Sequence, residues 1–222
     1  MTRAHQSDNH GSLQHFVLPQ AELLFWPRWL LPGQADRCYQ QLAEQLNWQQ
    51  PAIKIFGKAV LIPRQQVWMG DPHCSYKYSG VLFEPEPWHP LVRQLTDRVN
   101  QLCQTRFNSV LLNWYSDGQQ HMGWHSDDEA ELGQNPQIAS LSLGQQRFFD
   151  LKHKSLNTQL KLELGHGSLL LMAGSCQRFW QHRVPKMAAA AAFGGTAINE
   201  ASAPVAFTAS ATESKTGIPS TS

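Results

Sequence analysis

Apolar side chains recur at helical spacing in two stretches of the chain and at strand spacing through most of the rest. In QADRCYQQLAEQLNW, Ala35, Cys38, Leu42 and Leu46 lie three or four residues apart, which predicts a helix opening after Pro32-Gly33 and ending near Trp48. In PLVRQLTDRVNQLCQT, Val92, Leu95, Val99, Leu102 and Cys103 form one stripe, and Pro90 suits a first helical turn, where its missing N–H is not needed. Both stripes read as core-facing. Between them, IKIFGKAVLIPRQQVWMGDPHCSYKYSG mixes β-branched and aromatic residues with Lys, Arg and Gln, so strands are expected, with Phe56-Gly57-Lys58 at a hairpin tip.

From Val110 onward, VLLNWY, QIASLSLG, QRFFDLKH, QLKLELG and SLLLMAG follow one another between Gly, Asn, Ser and Pro signals. In QLKLELG, Leu160, Leu162 and Leu164 alternate with Lys161 and Glu163, as in a sheet with one wet face. Two helices followed by many short strands predict an α+β fold, a β-sandwich or a jelly-roll (double-stranded β-helix) core, with the helices packed on one sheet. Residues 1–18 are polar and rich in His, Gln and Ser and read as an unstructured leader. Residues 19–186 form the expected domain. Residues 187–222 are rich in Ala, Ser and Thr without an arginine, and read as a disordered tail foreign to the domain, of the kind a frameshift produces.

Composition narrows the class further. With 41% apolar residues in 222, a full core can be buried, and a net charge of +1 makes any basic footprint a local matter. Within residues 51–80, Lys54, Lys58, Arg64 and Lys77 face a single acid, Asp71, a local excess of 4 − 1 = +3. The four cysteines form no C-x-x-C pair, which fits neither a disulfide framework nor a zinc knuckle. No signal peptide or span of roughly 20 apolar residues is seen, so a cytoplasmic protein without membrane contact is expected.

The richest chemistry sits in NWYSDGQQHMGWHSDDE, Asn113 to Glu129. His125 and Asp127 are two apart, so on a strand they project to one side and can grip one metal. A second imidazole, for which His182 in FWQHRV is the candidate, would complete the two-histidine, one-carboxylate set that suits iron(II) and leaves positions open. An H-x-D pair alone is common, and a surface role stays open on these residues only. Asn113 and Tyr115 are likewise two apart and could hydrogen-bond a carboxylate, or merely fill a strand.

The succession NWY…HSDDE…SLSLG…LGHGSLLLMAG…HRVPK, with IFGK, PRQQVWMGD and YKYSG upstream, resembles the AlkB family of iron(II)- and 2-oxoglutarate-dependent nucleic-acid dealkylases, in its duplex-DNA branch. The resemblance runs from Leu18 to Lys186. It implies that His125, Asp127 and His182 bind Fe(II), that Asn113 and Tyr115 bind 2-oxoglutarate, and that Glu129 lies near the target base with Tyr76 and Tyr78 as aromatic surface. Trp124 is a weaker candidate for the same surface. Phe56 matches an intercalating finger flanked by Lys58 and Arg64. The implied reaction uses O2 and 2-oxoglutarate to hydroxylate N-methyl groups of bases such as 1-methyladenine and 3-methylcytosine, which then shed formaldehyde. The implied partner is alkylated DNA, with RNA as the alternative polymer, met by a monomer.

One part of the family pattern is missing. Relatives carry Arg-x-Asn-x-x-x-x-Arg on a final strand after the distal histidine, and its first arginine pairs with the far carboxylate of 2-oxoglutarate. Here Arg183 and Lys186 are followed by no further arginine, so a lost strand and damaged cosubstrate binding are expected. That leaves an alternative: a catalytically impaired AlkB-like nucleic-acid-binding protein.

Overall fold

IASLSL and SLLLMAG are buried on both faces, which inner strands of a sheet covered on both sides require. The computed structural model describes residues 12–55, 57–74, 76–78, 81–187 and 205–211. The chain opens with β1 (Gln14–Leu18), β2 (Ala21–Trp26) and helix α1 (Pro32–Gln45). It continues through β3 (Ala52–Ile55), β4 (Lys58–Leu61), β5 (Gln65–Gly70), β6 (Tyr76–Tyr78), β7 (Val81–Phe83) and helix α2 (Pro90–Cys103). The second half holds β8 (Ser109–Trp114), β9 (Met122–His125), β10 (Ile138–Leu143), β11 (Arg147–His153), β12 (Gln159–Leu164) and β13 (Ser168–Gly174). One helical turn, α3 (Cys176–Phe179), then leads to β14 (Trp180–Val184) and β15 (Val205–Ser210).

A seven-stranded sheet, β1-β2-β13-β10-β15-β8-β5, faces a four-stranded one, β12-β11-β14-β9, and every strand pair is antiparallel. Successive strands from β8 to β11 alternate between the sheets, as do β13 to β15, which gives the expected jelly-roll core. The period-2 alternation divides the large sheet between two cores. Val110, Leu112, Leu141, Leu169 and Phe207 pack on Ala35, Leu42, Val92, Leu95 and Val99 of the two helices. Ile138, Leu170 and Met172 point the other way, onto Phe149, Leu151, Leu164 and Trp180 of the small sheet. Each such fully buried side chain contributes about 1.5–3 kcal/mol. The cavity described below opens between the sheets, within this second core.

Both helices stand where their stripes place them, with Pro90 in the first turn of α2, although Leu102 is exposed rather than core. The hairpin β3–β4 pairs Ile55 with Lys58, leaving a two-residue tip whose Gly57 takes φ +78°, a conformation that favours glycine.

Two boundary expectations are corrected. The leader does not run to residue 18, because Gln14–Leu18 pairs with β2 and forms the edge of the large sheet. The chain after residue 187 is not strandless either: Val205–Ser210 lies between β10 and β8 and pairs with both. Without it those two strands would present unpaired N–H and C=O groups in mid-sheet. The segment can fill that position because Val205, Phe207 and Ala209 all turn to the helix-side core.

Candidate metal centre

His125 ends β9 and His182 sits in β14, directly across from it in the strand register. Asp127 lies just past the strand, yet it still converges with His125 because the intervening chain is pinned. The Ser126 hydroxyl donates to the Trp180 carbonyl at 2.8 Å, and the Asp127 N–H donates to Oε1 of the buried Gln177 at 2.9 Å. His182 is buried, stacked on Phe149 and edge-on to His125 with ring centres 4.2 Å apart.

The three side chains make a tight cluster. His125 Nε2 is 3.7 Å from Asp127 Oδ1, and His182 Nε2 is 3.5 Å from Asp127 Oδ2. One ligand atom from each residue lies within 4.8 Å of the others. A first-row divalent ion, which holds nitrogen and oxygen at about 2.0–2.2 Å, reaches donors spaced on this scale. Asp127 Oδ2 is buried and accepts no hydrogen bond among the described residues, so a free lone pair points into the cluster. The Nδ1–H of His125 donates to the Gly123 carbonyl at 2.8 Å, which fixes the tautomer and leaves Nε2 free to ligate.

The electrostatics favour a cation. Burial, then the neighbouring His182, draws the His125 imidazole below its ordinary pKa, so it is neutral and able to ligate at neutral pH. Burial alone would raise the Asp127 carboxyl, but the His182 contact and the charges of both imidazoles outweigh it, leaving it below its ordinary range. Two imidazoles and a carboxylate suit iron(II).

The three residues of the cluster line a cavity that Asn113, Tyr115, Arg147 and Thr208 also line. Asn113 is buried on β8 and its Oδ1 accepts from Arg64 Nε at 2.7 Å. Tyr115 follows the same strand; burial pushes its phenol up to about 12, so it stays a neutral donor. The Arg147 guanidinium lies over the Tyr115 ring at 5.3 Å.

A family model described as "2OG-Fe(II) oxygenase superfamily" matches residues 22–210, nearly the whole described chain and including β15. The chain belongs to the 2OG-Fe(II) oxygenase superfamily. It is similar to DNA oxidative demethylase ALKBH2 of Bos taurus, 37% identical over 164 residues, 69% of this chain and 59% of that protein. It is 36% identical over 176 residues to Alpha-ketoglutarate-dependent dioxygenase alkB homolog 3 of Homo sapiens, 75% of this chain and 61% of that one. With ALKBH2 of Arabidopsis thaliana it shares 33% over 206 residues, 81% and 65% of the two chains. This oxygenase chain thus spans 59 to 65% of the length of these three relatives. The solved structure of OsALKBH1 shares the fold at 15% identity, with a TM-score of 0.58 over 90% of this chain and 99% of that one.

The cavity gathers five of the residues expected from sequence, His125, Asp127, His182, Asn113 and Tyr115, and leaves others outside it. Arg64 departs from the expected phosphate-facing position: it is half-buried and turned inward onto Asn113, because its Nε finds a buried amide oxygen there. Trp124 points away from the cluster, held between Arg183 and Lys152 at 4.5 and 4.4 Å, since neighbours on a strand face opposite ways. Glu129 is exposed just before a short turn and does not line the cavity. Lys58 is exposed on β4. Phe56 and the side chains of Tyr76 and Tyr78 lie outside the described residues. Sequence reasoning missed Gln177, which holds Asp127, and Arg147, whose inward orientation only the β11 register reveals.

Proposed function

We propose that the chain is an iron(II)- and 2-oxoglutarate-dependent oxygenase that removes N-methyl groups from bases of alkylated DNA, 1-methyladenine and 3-methylcytosine among them. The observation that carries this reading is the convergence of His125, Asp127 and His182 in the wall of a cavity that Asn113 and Tyr115 also line. His125, Asp127 and His182 hold the metal, and Asn113 and Tyr115 donate hydrogen bonds to the cosubstrate. When bound, iron(II) and 2-oxoglutarate supply a two-electron oxidation in which one atom of O2 ends in succinate, the other in a hydroxymethyl group, and carbon dioxide leaves.

The rest is the work of the chain's own residues. Phe149, Leu164 and Met172 line the cavity with apolar surface that excludes water. A methylated base cannot be reached inside the stack and must be flipped out. Phe56, between β3 and β4 in the sequence, enters the gap it leaves, Lys58 neutralises a phosphate, and Tyr76 and Tyr78 stack on the extruded base. Glu129 accepts from its exocyclic nitrogen. The N-hydroxymethyl product then breaks its C–N bond, the ring nitrogen keeping the electron pair while the hydroxyl proton is lost to water and formaldehyde departs. The relatives named above as DNA oxidative demethylases support the choice of DNA.

One observation favours a second reading, a nucleic-acid-binding protein unable to load its cosubstrate: β15 carries no arginine. Incubation of the protein with 1-methyladenine or 3-methylcytosine oligonucleotides separates the two. The oxygenase reading expects formaldehyde only when iron(II) and 2-oxoglutarate are both added, and none from Asp127→Ala. Salt-sensitive DNA binding without turnover in the parent protein would establish the second reading instead, and turnover confined to methylated RNA would replace DNA as the substrate.

A further inference from the structure

Arg147 is a buried charge with no ion-pair partner among the described residues. It opens β11, on the inward face shared with Phe149, Leu151 and His153, and only 5% of it is exposed. Its Nη2 donates to two backbone carbonyls, those of Gln120 at 2.9 Å and Pro185 at 2.7 Å. Its Nε and Nη1 are buried and have no hydrogen-bond partner among the described residues. No carboxylate pairs with it there; its nearest ring neighbour, Tyr115, is a neutral phenol. A buried charge lacking its counter-ion costs several kcal/mol, so the arrangement calls for an anion.

The cavity names that anion's chemistry. Arg147 lines the same space as His125, Asp127 and His182, which can hold a metal, and as the hydroxyl-bearing Ser140, Ser142 and Thr208. The strand β15, which borders this space, offers the hydroxyl of Thr208 and no cation. An elongated dicarboxylate needs a cation for the end remote from the metal, and burial plus free N–H donors make Arg147 suited to it.

We propose that Arg147 anchors the distal carboxylate of 2-oxoglutarate, so that this chain takes its cosubstrate cation from β11 rather than from β15. The proposal rests on the oxygenase reading above. It makes Arg147 a cosubstrate-binding residue whose two carbonyl contacts hold the guanidinium in place, while its remaining N–H groups receive the carboxylate.

Binding to the Mn(II)-loaded protein under argon, followed by calorimetry, tests this without turnover. The two ligands are 2-oxoglutarate and 2-oxobutyrate, which keeps the 2-oxo acid and lacks the distal carboxylate. The parent protein should prefer 2-oxoglutarate by tenfold to a hundredfold, the range of hydrogen bonds to charged groups. Arg147→Met should lose most of that preference, with 2-oxobutyrate and Mn(II) affinities unchanged. If Arg147→Met does not fold, Arg147→Lys takes its place and should lose several-fold in 2-oxoglutarate affinity alone, since an ammonium puts its donors on one atom and lacks the planar fork that reaches the carbonyls with one nitrogen and the carboxylate with the others. A preference that survives in whichever variant folds overturns the assignment while the oxygenase reading stands; so does its loss in Arg64→Met instead. A parent protein that binds neither acid overturns both.

Discussion

At the scale of single residues, the site depends on who holds the ligands as much as on the ligands. Gln177 does not itself line the cavity, but its carboxamide oxygen receives the Asp127 N–H while its Nε2 reaches the Met172 sulfur at 3.7 Å, which fixes its orientation. Outer partners of this kind typically matter by 10- to 100-fold in metal affinity, so Gln177→Ala should weaken Mn(II) binding by about tenfold or more while the fold persists. Metal affinity should also be flat between about pH 7 and 8, because the depressed His125 pKa keeps that imidazole neutral. For a histidine whose folded pKa is lowered, the unfolded chain binds the proton more readily. Stability of the metal-free protein should therefore fall as pH drops below the unfolded value of about 6.5, and a melting series from pH 8 to 5.5 checks that sign. His125 and Asp127 were legible in sequence because H-x-D spacing has a meaning of its own. Arg147 was not: Arg147, Phe148, Phe149 and Asp150 put an aromatic and a charge on each face, and only the register of β11 decides which face is inside.

At the scale of elements, the strands that sequence marks clearly are those with strong contrast between their faces, such as β12, where leucines alternate with Lys161 and Glu163. The two helices are legible for the same reason, their stripes being long and regular. Strand β15 is different. In VAFTAS an alanine stands at a core position, Ala209, and another at the opposite parity, Ala206, so the period is hidden, and its partners lie far away in sequence on β10 and β8. Its position explains why the family match extends to residue 210. Phe207 is fully buried between α1, α2 and the sheet, so Phe207→Ala should cost about 3–5 kcal/mol, measured by denaturant unfolding. Truncation after residue 187 should be worse still, since it opens the middle of the large sheet; a soluble, cooperatively folding truncation would show that β15 is dispensable.

At the scale of the whole molecule, the two sheets divide the labour. The large sheet is braced by helices on one side and lines the cavity with the other, and the small sheet carries the histidines. No helix among the described residues is long and apolar enough to cross a membrane. With a net charge of +1, attraction to a polyanion has to come from local lysines, and the inward turn of Arg64 removes one cation from the hairpin region. Binding to a methylated duplex should therefore weaken with salt, and Lys58→Ala should flatten the slope of log K against log salt by about 0.9, one phosphate contact. The central claim, that this cavity couples a metal and 2-oxoglutarate to methyl removal, is tested most directly by counting succinate and formaldehyde in the same reaction on a 1-methyladenine duplex. One succinate for each formaldehyde, both lost in His182→Ala, is the expected result. Formaldehyde without succinate, or equal yields from the parent and His182→Ala, would contradict it.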